Sequence, residues 1–111
     1  MSAREERIGL NEAVFREVNE RIEGLAETFR LTQEPLDLVC ECGDATCVRR
    51  ITMTRSEYEQ LRAEAHQFAV HPGHEIPEVE TIVAKREGYE VVRKDEGVPE
   101  QIAEQTDPRH H

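Results

Sequence analysis

Apolar residues fall at Ile8, Phe15, Val18, Ile22, Leu25 and Phe29 in a stretch otherwise rich in Glu and Arg. Their spacing puts them on one side of a helix over residues 3–30, with Asn11 at one core position of the same heptad. Ser2 followed by Glu5 has the form of a capping box. Glu12 with Arg16 and Glu17 with Arg21 are opposite charges four residues apart, in the favourable order. Gly9 and Gly24 each weaken a helix interior by about 1 kcal/mol, so a break near Gly9 is compatible with the pattern. Pro35 disfavours helical geometry in the residue before it, and the helix is expected to end within Thr32-Gln33-Glu34-Pro35. The stripe can be covered by the chain's own sheet, which is the simpler solution. It is long for so small a domain, so the alternative is pairing with a second copy or a protein partner through Phe15, Val18, Ile22 and Leu25.

The period then changes. Leu36 to Glu41 alternates as a half-buried strand, and Val48 to Met53 reads as a second. A short loop containing Gly43 and Asp44 joins them, which predicts an antiparallel hairpin carrying the cysteines at its tip, the arrangement called a zinc knuckle. Thr54 with Glu57 forms another capping box and opens a helix to about Gln67, with Tyr58, Leu61, Ala65 and Phe68 on one face. Phe68-Ala69-Val70 is a candidate short strand. Pro77, the face of Val79, Ile82 and Val83, and a capping Gly88 suggest a third helix, with a hairpin turning at Arg86-Glu87-Gly88 as the alternative. Tyr89 to Lys94 reads as a last strand. From Asp95 the chain is polar and acidic with little to bury. The pattern therefore predicts one α+β domain over residues 1–94, with a long N-terminal helix, a small antiparallel sheet and two shorter helices around a zinc knuckle. Residues 95–111 are expected to be a mobile acidic tail.

Composition sharpens this picture at three points. Hydrophobic residues make up 37% of the 111, aromatics 5%, and there is no Trp, so the core is thin and a metal tying segments together would matter to folding. The formal charge of −10, from 24 acidic against 14 basic residues, repels phosphate backbones and makes nucleic acid a poor partner. Arg49-Arg50 is too small a basic patch to reverse that. No apolar run approaches the roughly 18 residues of a membrane span, and the N-terminus has no apolar signal core, so a cytoplasmic, reducing setting without membrane attachment is expected. There, clustered cysteines point to metal or redox chemistry before disulfides.

All three cysteines lie within eight residues as Cys40-x-Cys42-x4-Cys47, followed by His71-Pro72-Gly73-His74-Glu75. Residues two apart on a strand point the same way, so Cys40 and Cys42 can grip one ion together, and Gly43-Asp44 permits the turn that returns Cys47. Zinc favours four ligands drawn from thiolate and imidazole. Of the two histidines flanking the Pro-Gly turn, His74 is the better fourth ligand, because the backbone beyond Gly73 is freer to approach; His71 is the alternative. Glu75 is a candidate acceptor for the imidazole N–H. His66, beside the apolar stripe of its helix, reads as a boundary residue. A metal-free set of thiols and an iron–sulfur cluster are the competing readings, the cluster weakened by the absence of a fourth cysteine.

No phosphate loop, His-Glu-x-x-His pair or Gly-x-Ser-x-Gly elbow is present, and no catalytic residue is assigned. Cys47 with His71 would make a nucleophile and base, but three clustered thiols favour metal capture. The preferred expectation is a non-catalytic, zinc-binding interaction or regulatory protein; a thiol–zinc redox sensor and a small metal-dependent enzyme are the alternatives. Arg109-His110-His111 is assigned no function.

The helix spelled Asn11-Glu12-Ala13-Val14-Phe15-Arg16-Glu17-Val18-Asn19-Glu20-Arg21-Ile22, the Cys-x-Cys-x4-Cys segment, the Tyr-containing helix and the Pro72–Glu75 turn together resemble a family of small, mostly uncharacterised actinobacterial proteins. The resemblance covers roughly residues 10–94. It implies a bacterial cytosolic protein and, since the shared turn contains His74, favours that residue over His71. It implies no activity.

Overall fold

The computed structural model describes residues 3–29 and 35–109. The chain runs α1 (Ala3–Thr28), β1 (Leu36–Val39), β2 (Arg50–Met53), α2 (Arg55–Arg62), β3 (Gln67–Val70), β4 (Glu80–Arg86), β5 (Tyr89–Lys94) and α3 (Val98–Gln105). The fold is α+β, as the sequence predicts. Ser2, the expected cap of α1, and Thr32–Glu34, its expected end, lie outside the described residues, as do His110 and His111.

β1 and β2 form the antiparallel hairpin, with Leu36 opposite Met53 and Val39 opposite Arg50. Leu36, Leu38, Ile51 and Met53 turn inward while their neighbours Asp37, Arg50 and Thr52 stay exposed, the alternation of a sheet with one buried face. Thr54 caps α2 with its full capping box, side chain and Glu57 reciprocating. α2 ends at Arg62, earlier than the sequence suggests, because residues from Gln67 onward are taken by β3.

The second sheet has the order β3-β5-β4, antiparallel throughout. The third helix expected from Pro77 is absent here; the alternative hairpin is what forms. Thr81-Ile82-Val83 is a β-branched run that packs better on a pleated surface than on a helix. Glu80, Ile82 and Ala84 turn inward, and a register shift between Ile82 and Ala84 leaves Val83 exposed. Gly88, with φ of 88°, is the left-handed residue of the β4–β5 turn, not a helix cap.

The segment read as an acidic tail also differs. Residues 98–105 form α3, entered through Gly97 (φ 105°) and Pro99, and pack against α1. Ala103 joins Cys40, Cys42, Phe68, Val70 and Val92 in one buried cluster, so α3 belongs to the core behind the cysteines. A second cluster holds Leu36, Leu38, Ile51, Met53, Tyr58, Leu61, Ala69 and Tyr89. Arg109 binds Glu20 at 2.6 Å, Glu59 at 2.7 Å and Glu23 at 3.2 Å, pinning the end of α3 to α1 and α2.

The face that α1 buries is the least expected feature. Ile8, Gly9, Glu12, Arg16, Asn19 and Glu23 are buried, a helical stripe that is mostly polar. Of the predicted apolar stripe, Phe15 and Ile22 are half-buried, whereas Val18 is 38% and Leu25 59% exposed, together with Leu10, Val14 and Phe29. Burying polar groups is costly unless each finds a partner, and here most do. Lys94 Nζ donates to Glu12 at 2.7 Å and Glu80 at 2.9 Å, all three side chains fully enclosed. Arg16 donates to the carbonyls of Ala65 (2.7 Å) and Ala103 (2.8 Å) and lies 4.5 Å over the Phe68 ring.

Candidate metal centre

The hairpin delivers the cysteines. β1 ends at Val39, short of the expected Glu41; Cys40 follows it directly, its N–H bonded to Arg49 O at 3.0 Å, and Cys42 lies two residues further on. Both are buried. The return to Cys47 is made by a turn in which Cys47 N donates to Asp44 O at 3.0 Å. The Asp44 carboxylate accepts from Thr46 N (2.9 Å) and Thr46 Oγ1 (2.7 Å), which holds its pKa below the usual range and braces the turn.

The histidine comes from the turn after β3. Pro72 and Gly73, with Gly73 at φ 88°, occupy the central positions of a type II turn closed by His74 N to His71 O at 2.9 Å. That turn carries His74 inward. Its Nδ1 lies 3.6 Å from Cys40 Sγ and 3.6 Å from Cys47 Sγ. The ligand atoms of Cys40, Cys42, Cys47 and His74 all lie within 4.8 Å of one another, the arrangement a single metal ion requires. His71 stays outside the cluster: its backbone N–H donates to Cys40 Sγ at 3.1 Å, the kind of bond that stabilises thiolate charge. Its ring stands 5.0 Å from that of His74.

Three sulfurs so close cannot all carry charge without a cation. In the bare protein a hydrogen bond from Cys40 pushes Cys42 down to about 5, while Cys40 is raised by its bond to Cys42 and by burial, and Cys47 chiefly by desolvation. A bound metal ion would override this ordering and favour thiolate at every position.

Glu75 takes a different position from the one sequence suggests. Among the described residues no hydrogen bond joins it to the His74 ring. It lies beside Glu90, and partial desolvation together with that neighbouring carboxyl raises its pKa. Glu90 in turn accepts from Gly73 N at 3.3 Å and so supports the turn.

The residues that hold the loop are ones the sequence did not mark. Glu41, between the two cysteines, is fully buried; its N–H donates to Ala69 O and its Oε1 accepts from Ala69 N, both at 2.9 Å. Its Oε2 accepts from Asn19 Nδ2 at 2.8 Å. Burial raises the Glu41 pKa, opposed by these bonds and by Arg62 and Arg16. Asn11, noted only as a polar interruption of the heptad, donates to Gly43 O at 2.8 Å. The available signal was a run of polar residues at helical spacing, Glu12, Arg16, Asn19 and Glu23, parallel to the apolar stripe.

His66 lies with Glu100 and Glu104, its Nε2 2.7 Å from Glu104. That grouping is partly exposed and is satisfied as a hydrogen-bonded pair. No helix is long and apolar enough to cross a membrane among the described residues. No protein-family model, curated protein or solved structure matches the chain.

Proposed function

We propose that Cys40, Cys42, Cys47 and His74 hold one zinc ion in a structural role. On this reading the chain is a zinc-stabilised interaction module of the bacterial cytosol. The supporting observation is the position of His74 Nδ1, 3.6 Å from two thiol sulfurs. A tetrahedron built on the usual Zn–S and Zn–N lengths has a sulfur-to-nitrogen edge of about 3.6 Å. Three thiolates and an imidazole suit zinc's preference, and a set of four leaves no position for water, which argues against metal-dependent hydrolysis.

The interaction role rests on α1. Its inward face is occupied by polar contacts to its own domain, which leaves Leu10, Val14, Val18 and Leu25 to solvent. This face suits a protein partner or a second copy of the chain better than nucleic acid, given the acidic surface. Substituting cobalt for zinc tests the closed site. Thiolate-to-metal absorption that does not change on adding azide or cyanide supports it; a shifted spectrum would mean an open position.

One observation favours a second reading. Cys47 is the only partly exposed cysteine of the three. Hydrogen peroxide could oxidise two of the thiolates: a sulfur–sulfur bond forms, the O–O bond breaks, two protons are taken up, and two waters and the zinc ion leave. Zinc release at near-stoichiometric peroxide would support a redox sensor; retention would leave the structural reading.

A further inference from the structure

Three residues of α1 grip the segment that supplies the first two cysteines. Ile8 packs on Gly43 so closely that a Cβ there would stand 2.6 Å from Ile8 Cγ2. Asn11 holds Gly43 O at 2.8 Å. Asn19 bonds both backbone groups of Val39 and the Glu41 carboxylate, at 2.8 to 2.9 Å.

What else holds this helix is mainly polar. Ile8 is the one large apolar side chain that α1 buries fully among the described residues. A helix docked by apolar area stays down wherever a neighbouring loop happens to be. A helix docked by hydrogen bonds and buried charges stays only while its partners stand in place, and on release those groups recover their hydration. The far end of α1 differs, since Ile22 and Ala26 pack on the hairpin cluster and Arg55 and Arg109 bind Glu23.

We propose that the metal centre is a latch for α1. With the ion bound, segment 39–43 is fixed where Ile8, Asn11 and Asn19 can hold it; without the ion those three contacts are lost, and residues 8–19, then held by the Glu12 and Arg16 bonds, open more readily while the β3-β5-β4 sheet and α2 remain folded. The latch rests on the metal-binding reading above. The sheet has its own supports in the β3–β5 and β4–β5 ladders and in Tyr58 and Leu61 of α2, which cluster with Ala69 and Tyr89. The coupling is reciprocal, so weakening the grip of α1 must weaken metal affinity by the same factor.

Hydrogen exchange of the full chain, with one equivalent of zinc and after removal by a chelator under reducing conditions, tests this, with metal content measured on the same samples. The latch predicts that removal lowers protection over residues 8–19 by about 10-fold or more while β5 and α2 keep theirs. It also predicts that Asn11→Ala weakens zinc binding by about 10-fold in competition with a chromophoric chelator. Arg21→Ala, which removes only an exposed pair with Glu17, is expected to change nothing. If zinc binds but residues 8–19 keep their protection without it, or every element exchanges together, the latch is wrong and the metal site stands. Unchanged zinc affinity in Asn11→Ala also counts against the latch. A chain that takes up no zinc overturns both.

Discussion

The side chain of Asn19 takes both backbone groups of Val39: Oδ1 accepts from Val39 N at 2.8 Å and Nδ2 donates to Val39 O at 2.9 Å. A carboxamide on a helix thereby does for the edge of β1 what a neighbouring strand would do. The first prediction follows. Asn19→Ala strands buried donors and acceptors on Val39 and Glu41, at about 1–3 kcal/mol each, so a loss of about 3 kcal/mol is expected in urea unfolding. Asn19→Asp should be no better, because its second oxygen would face Val39 O and the Glu41 carboxylate. A loss under about 0.5 kcal/mol, the range of an ordinary surface change, would refute the pairing.

The enclosed Glu12–Lys94–Glu80 group predicts an asymmetry. Lys94→Met would leave two carboxyls buried without their cation, at a cost of about 3–5 kcal/mol. Glu12→Gln should cost less than about 1 kcal/mol, because desolvation already holds the Glu12 pKa well above its ordinary value and its Oε2 has no hydrogen-bond partner. Equal losses in the two variants would show that Glu12 is held as a carboxylate.

Glu23 makes stability depend on pH. Desolvation, then the neighbouring Glu59, pushes its pKa up to about 7, while Glu59 is pushed down to about 2 by its bond to Glu23 and by Arg109. Between about 4.5 and 7 the folded chain holds a proton on Glu23 that the unfolded chain has released. Its contribution is therefore full below the unfolded pKa and is lost as pH rises through that window. The Glu59 contribution has the opposite sign and is lost as pH falls from about 4.5 toward 2. Unfolding of wild type and Glu23→Gln across pH 4.5 to 7, at equal metal loading, should show the wild type losing stability relative to the variant as pH rises. A constant difference would refute the assignment.

The proposed interaction role rests on the exposed stripe of α1. Val18→Glu and Leu25→Glu lie on solvent-facing positions and should alter stability by no more than about 0.5 kcal/mol. If α1 pairs with a second copy or a partner, the same changes should abolish self-association in sedimentation and partner binding. Retention of both would remove α1 from the account.

The readable parts of the sequence were those whose chemistry is local. The closeness of Cys40 and Cys42, the Thr54–Glu57 cap and the Pro72-Gly73 turn each follow from residues a few positions apart. Long-range partners were not readable. Glu12 pairs with Lys94 and Arg16 with Ala103, contacts that no periodicity announces. The apolar stripe of α1 fits its own sheet or a partner equally in sequence, and only the structure shows that polar residues fill the buried face. From Asp95 the chain is polar and acidic with little to bury, and sequence does not announce that Ala103 joins the cluster of Cys40 and Cys42 or that Arg16 binds its carbonyl. Ile82 and Val83 fit helix and strand alike, and the pairing of β4 with β5 decides for the strand.

The most direct test of the central claim is metal content, measured on protein purified without added metal, for wild type and His74→Ala. One zinc per chain in the wild type, lost or held much more weakly in the variant, is the result expected of the four-ligand site. No metal in the wild type, with three thiols that react freely, would contradict it.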